Sequence, residues 1–135
     1  MVRSLAILVL ILQGAACGLF GPDEERRRGR ILEGNDNEVP DSVRLGQPFE
    51  VTIFTYGSCT SGGDEVVTWP SPDTAKIEPY DIVDVSGDYI CPSALLPIPH
   101  AVSLTFDVPG EAFVVVIGYG YQSNLSELEY PIWVH

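Results

Sequence analysis

Few side chains in this sequence are equipped for acid, base or nucleophilic chemistry. The imidazoles are His100 and His135, and the single methionine is Met1. A hydrolase using His100 would need a serine or similar nucleophile within its reach, and no Gly-x-Ser-x-Gly turn is present to offer one. His100 instead follows Leu95-Leu96-Pro97-Ile98-Pro99, which reads as a proline-rich loop carrying a packed or solvated histidine. No catalytic residue is therefore expected. A blue-copper centre wants two histidines and a cysteine with a methionine nearby, and that set is missing. Asp81, Asp84 and Asp88 cluster beside Glu78 and could gather a calcium ion, since hard cations collect carboxylates. They lack EF-hand or repeat-type spacing, and a solvated acidic face accounts for them more simply. No metal ligand and no cofactor is expected. Cys59 and Cys91 lack the Cys-x-x-Cys spacing of a redox pair.

Charge narrows the partners. The 135 residues hold 7 Lys and Arg against 19 Asp and Glu, a formal net charge of −12. Phosphate backbones attract basic faces, so a nucleic-acid binder is excluded. The one basic run, Arg26 to Arg30, sits beside Asp23-Glu24-Glu25. It reads either as a contact to anionic lipid phosphates or as a solvated polyampholyte, and the second needs fewer assumptions.

These residues must be positioned by the elements around them. Met1 to Ser4 carries one positive charge, Leu5 to Leu12 is unbroken apolar sequence, and Gln13-Gly14-Ala15-Ala16 then gives way to Cys17. Charge, apolar run and small residues in that order read as a signal peptide over residues 1–16. The run is well short of the roughly 20 residues a membrane span needs. Gly14-Ala15-Ala16-Cys17 resembles the lipobox of bacterial lipoproteins, although the family usually has Leu where Gly14 stands. The resemblance implies that Cys17 is acylated and becomes the new N-terminus, anchoring an exported protein to a membrane of the cell envelope. With Gly18 rather than Asp next, it also implies the outer membrane in a Gram-negative cell. Cysteine arithmetic agrees: three cysteines leave one unpaired, so a lipidated Cys17 leaves Cys59 and Cys91 to form a disulfide. Closing that loop stabilises by roughly 3.7 kcal/mol in the chain-entropy model. Plain secretion with a free thiol is the alternative.

Residues 17–37, rich in charge and without apolar periodicity, read as the lipidated N-terminus and a flexible linker. From residue 38 to 135 the pattern has period two. Phe49, Val51, Ile53 and Thr55 share one strand face; Val102, Leu104, Phe106 and Val108 share another; Pro109-Gly110 then leads into Glu111 to Tyr119, apolar on both faces and so central. Tyr130, Ile132 and Val134 mark a last strand, with Pro131 placing it at an edge. With 13 Gly and 11 Pro punctuating short strands, the expectation is an all-β fold, an antiparallel β-sandwich of about seven strands. Val39 to Thr52 looks like the first two strands of bacterial immunoglobulin-like domains, and Phe106 to Val116 is similar to their late hairpin. That resemblance implies an architecture and no functional residues.

The expected function is a non-enzymatic cell-envelope lipoprotein, a binding or structural module for a protein or other envelope partner that the sequence does not identify. A secreted calcium-dependent adhesion domain is the alternative, followed by a hydrolase using His100. As a binding module it should use the loops held by the disulfide, Gly57 to Asp64 and Tyr80 to His100. Tyr80, Asp81, Asp84, Asp88 and Tyr89 are the candidate binding residues there.

Overall fold

The structure is a computed structural model that describes residues 23–34, 36–87 and 90–135. The expected signal peptide and Cys17 lie outside these residues, as do Asp88 and Tyr89. The described residues form strands β1 (Glu24–Arg28), β2 (Ser42–Val43), β3 (Phe49–Gly57), β4 (Thr60–Ser71), β5 (Thr74–Asp84), β6 (Leu96–Leu104), β7 (Gly110–Tyr119) and β8 (Leu125–Val134), and no helix. The fold is all-β, with two sheets packed on each other.

In the larger sheet, β5 is the branch point. Strand β4 runs antiparallel along one of its edges, and two strands share the other: β7 over Thr74–Ile77, then β1 over Tyr80–Asp84. Pro79 sits where the partner changes. Its carbonyl accepts the Gly29 N–H at 2.8 Å, so the donor it lacks would have faced this same edge. Beyond β7 come β8 and the short β2. The smaller sheet is the antiparallel pair β3 and β6, in register from Phe49 opposite Leu104 to Gly57 opposite Leu96. Both strands are edges, where the prolines at 97 and 99 are tolerated.

The alternating patterns are where they should be. Val51, Ile53 and Thr55 are buried along β3, and Val102 and Leu104 along β6. They meet Ala75 and Ile77 of β5, Ala112, Val114 and Val116 of β7, and Ile132 and Val134 of β8. Each valine, leucine or isoleucine among them is worth about 1.5–3 kcal/mol when fully buried. Phe106 closes one end, stacked on Phe49 at 5.8 Å and met edge-on by Trp69 at 5.4 Å. Strand β7 is central, as its two apolar faces require, and Pro131 lies in β8, whose outer edge is paired only at Trp133 and Val134.

Three expectations need correction. The sandwich is not wholly antiparallel, because β5 pairs β7 and β2 pairs β8 in parallel. The Pro109-Gly110 turn, with Gly110 at φ 109°, does not make a hairpin: it carries the chain from β6 in the small sheet to β7 in the large one. A strand that changes sheets cannot pair with its predecessor, so its neighbours come from elsewhere in the chain. The third concerns the expected linker. Glu24–Arg28 is an edge strand, paired from Glu24 opposite Asp84 to Arg28 opposite Tyr80. Among the described residues the sheet therefore begins at residue 24, and ladder hydrogen bonds hold the backbone that carries these arginines.

Candidate functional site

The β-alternation puts four polar side chains between the sheets at one end. Ile98, His100, Val102 and Leu104 share the buried face of β6, and Thr55 is in phase with Val51 and Ile53. Across the gap, Asp81 is in phase with Ala75, Ile77 and Pro79 of β5. His100 Nε2 lies 2.8 Å from Asp81 Oδ1, and Nδ1 lies 2.9 Å from Glu65 Oε1. The Thr55 hydroxyl donates to Asp81 Oδ1 at 2.8 Å and sits 3.0 Å from His100 Nε2. Thr55, Asp81 and His100 are at most 3% exposed. The small sheet thus contributes Thr55 and His100, the large sheet Asp81 and Glu65, and the group ties the two together.

Each ring nitrogen faces a carboxylate oxygen, which accepts when ionised, so the geometry favours a ring with a hydrogen on both nitrogens. Burial works against the charge, yet the hydrogen bonds to Asp81 and then Glu65 outweigh it and raise the His100 pKa above 6.5. A general base needs a ring nitrogen with a free lone pair aimed at a nucleophile. Here neither nitrogen has one, and the adjacent hydroxyl, that of Thr55, is buried and donates to Asp81. The arrangement suits an internal ionic tie better than hydrolysis.

The segment following β1 covers this cluster. Gly29 lies so close that a Cβ there would stand 2.3 Å from Thr55 Cγ2 and 3.0 Å from Asp81 Oδ2. Only glycine fits. The chain then crosses the end of both sheets: Ile31 N–H donates to the Tyr119 carbonyl of the large sheet, and Tyr56 N–H of the small sheet donates to the Arg30 carbonyl. Gly118 makes room, since a Cβ there would be 2.7 Å from the Gly29 carbonyl oxygen and from Ile31 Cγ2. Ile31 is 2% exposed and joins the core.

Outside this cover lies a cleft of about 820 Å³, lined by Arg26, Arg28, Arg30, Tyr56, Tyr80 and Tyr119 among others. Alternation in β1 sends Arg26 and Arg28 the same way, toward Tyr80. The Arg26 guanidinium lies 3.5 Å from the Tyr80 ring centre, and that of Arg28 lies between Tyr80 at 5.8 Å and Tyr119 at 6.0 Å. Arg26 grips Asp64 with two hydrogen bonds, at 2.7 and 2.8 Å, holding the Asp64 carboxyl below its ordinary pKa. Arg28 reaches Glu78 at 2.9 Å, but its buried Nε–H has no hydrogen-bond partner among the described residues. Arg30 makes no side-chain ion pair or hydrogen bond among the described residues. Tyr56 donates to Asp36, a contact that with partial burial pushes its phenol up to about 12.

The candidate binding residues separate. Tyr80 and Asp81 lie in β5, not in a loop. Tyr80 lines the cleft, whereas Asp81 turns inward to His100. Asp84, at the end of β5, accepts from the backbone and hydroxyl of Ser86, which lower its pKa. Glu78 pairs with Arg28. The carboxylates of Glu78, Asp81 and Asp84 are thus committed to separate partners, and among the described residues no group of three or more His, Cys, Asp or Glu is set to hold a metal ion. Cys59 and Cys91 are bonded, with Cα atoms 5.5 Å apart, joining the β3–β4 turn to the segment before β6. Trp69 stands at the other end of β4, away from this bond. No family model matches the chain, and no curated protein or solved structure is significantly similar to it.

Proposed function

We propose that this chain is an exported envelope lipoprotein, anchored through Cys17, whose immunoglobulin-like sandwich serves as a non-enzymatic binding or spacing module. The observation that carries the reading is the Cys59–Cys91 disulfide, which belongs in an oxidising compartment and leaves Cys17 as the odd cysteine after an apolar run and three small residues. The buried ring of His100, flanked by two carboxylates, supports a structural role for the one internal histidine. Two packed sheets joined by connections that cross from one to the other support the immunoglobulin-like part. Mass spectrometry of the mature protein from its own cell tests the proposal: the N-terminus should be Cys17 with a diacylglyceryl mass, and an unreduced peptide map should link Cys59 to Cys91. A terminus beyond Cys17, or one without lipid, overturns the anchor.

A further inference from the structure

We propose that the arginine and tyrosine cleft binds a phosphomonoester carried on a sugar ring. This rests on the binding-module reading above and names its site and ligand class.

The charge distribution points there first. On a chain of net charge −12, four of the 7 cationic side chains fall in the five residues from Arg26 to Arg30, and all four line this one cleft. A body so acidic repels anions over most of its surface, so an anionic ligand is steered to the place where arginines gather. Not all of that charge is neutralised. Among the described residues Arg30 has no carboxylate partner and the Arg28 Nε–H has no acceptor. The acids lining the cleft are Glu25 and Asp81. Glu25 is held by Arg27 at 2.7 Å, and the Asp81 carboxylate is taken by His100 and Thr55. What remains for a ligand is positive. A guanidinium fork matches two phosphate oxygens at once, as an ammonium does not.

Size and lining then extend the ligand. A phosphate group alone fills a small part of about 820 Å³, a volume within the range of organic ligand sites. The remaining wall offers aromatic faces and hydroxyls. Arg26 covers Tyr80 at close range, whereas Tyr119 is 40% exposed and has a face to stack against a ring. Ser123 adds a hydroxyl that both donates and accepts, and the Thr60 hydroxyl, whose proton goes to the Ser58 carbonyl, adds an acceptor. An aromatic face with hydroxyl partners beside a cationic pole fits a phosphorylated saccharide, whether free or as the headgroup of a lipid.

The test uses the full exported chain in detergent micelles. Calorimetry is run with glucose 6-phosphate, with glucose, and with mixed micelles containing a lipid whose headgroup is a phosphorylated disaccharide, each on the native protein and on Arg30→Gln. The expected result is saturable binding that needs the phosphate, falls at least tenfold in Arg30→Gln, and weakens as salt rises, with an unchanged melting temperature. Binding of glucose 6-phosphate identifies a soluble source; binding confined to the lipid-bearing micelles identifies a headgroup. No binding in either arm, or binding equal in Arg30→Gln, overturns the cleft. The mature N-terminus keeps the two readings apart: a diacylated Cys17 with no binding in either calorimetric arm removes the cleft and leaves the envelope module, whereas a terminus without lipid counts against the module reading whatever the cleft binds.

Discussion

Tyr80 and Asp81 are neighbours in β5, and the pleat sends them into opposite environments. Asp81 is 3% exposed and meets the buried ring of His100. Tyr80 faces the cleft, where Arg26 lies over its ring beside water and the half-exposed Arg26–Asp64 pair. Both sides are built from charge, and they differ in what charge can do there. Inside, a lost partner leaves a desolvated ion behind, so the cluster governs stability. Outside, water replaces a lost partner at once, so the arginines contribute little to stability and remain free to exchange a carboxylate for a ligand.

The largest effect should come from the inside. Asp81→Ala removes the carboxylate shared by His100 and Thr55 and should destabilise the fold by about 3–5 kcal/mol in denaturant titration, the usual cost of breaking a buried pair. A loss under about 1 kcal/mol would erase the contrast between the two sides. Next is the cover. Gly29→Ala places a methyl against Thr55 and should cost about 1–3 kcal/mol by overpacking, read as a lower denaturation midpoint at constant slope. The third effect is a dependence on pH. The His100 pKa is raised in the folded protein, so its stabilisation is complete below about 6.5 and is lost as pH climbs through the folded value. Melting temperature should therefore decline as pH rises above 6.5, with a flatter profile in His100→Gln; identical slopes would show the imidazole to be neutral in the fold. Smallest is Arg26→Ala at the exposed pair with Asp64, which should leave the melting temperature where it was. A clear drop there would make the cleft part of the scaffold.

How much of this was legible depended on phase. The β3 face read correctly from Phe49 to Thr55 because Val51 and Ile53 set the alternation. The same rule, run backward from Leu104 and Val102, puts His100 and Ile98 inside; Pro97 and Pro99 obscured it by resembling a loop. Asp81 was hidden in the same way behind Pro79, although it keeps step with Ala75 and Ile77. The signal was a polar residue in phase with an apolar face. Strand β1 carried no such signal. Glu24 to Arg28 is charged on both faces, and only its pairing with β5 makes it a strand. Sheet membership also resisted reading, since a Pro-Gly turn looks the same whether the next strand folds back or changes sheet.

The pairing of β1 with β5 has a consequence in time. Synthesis runs from the N-terminus, so the arginine strand exists before any edge is available to receive it. Its partner follows about sixty residues later, and closing so long a loop is slow compared with forming the neighbouring β4–β5 hairpin. Until the segment from Glu24 to Ile31 docks, the second half of β5 keeps an open edge and the space over Thr55 and Asp81 has no lid. In that interval the vacant edge accepts any copy of the segment, its own or that of another chain, and dilution during refolding decides which arrives first.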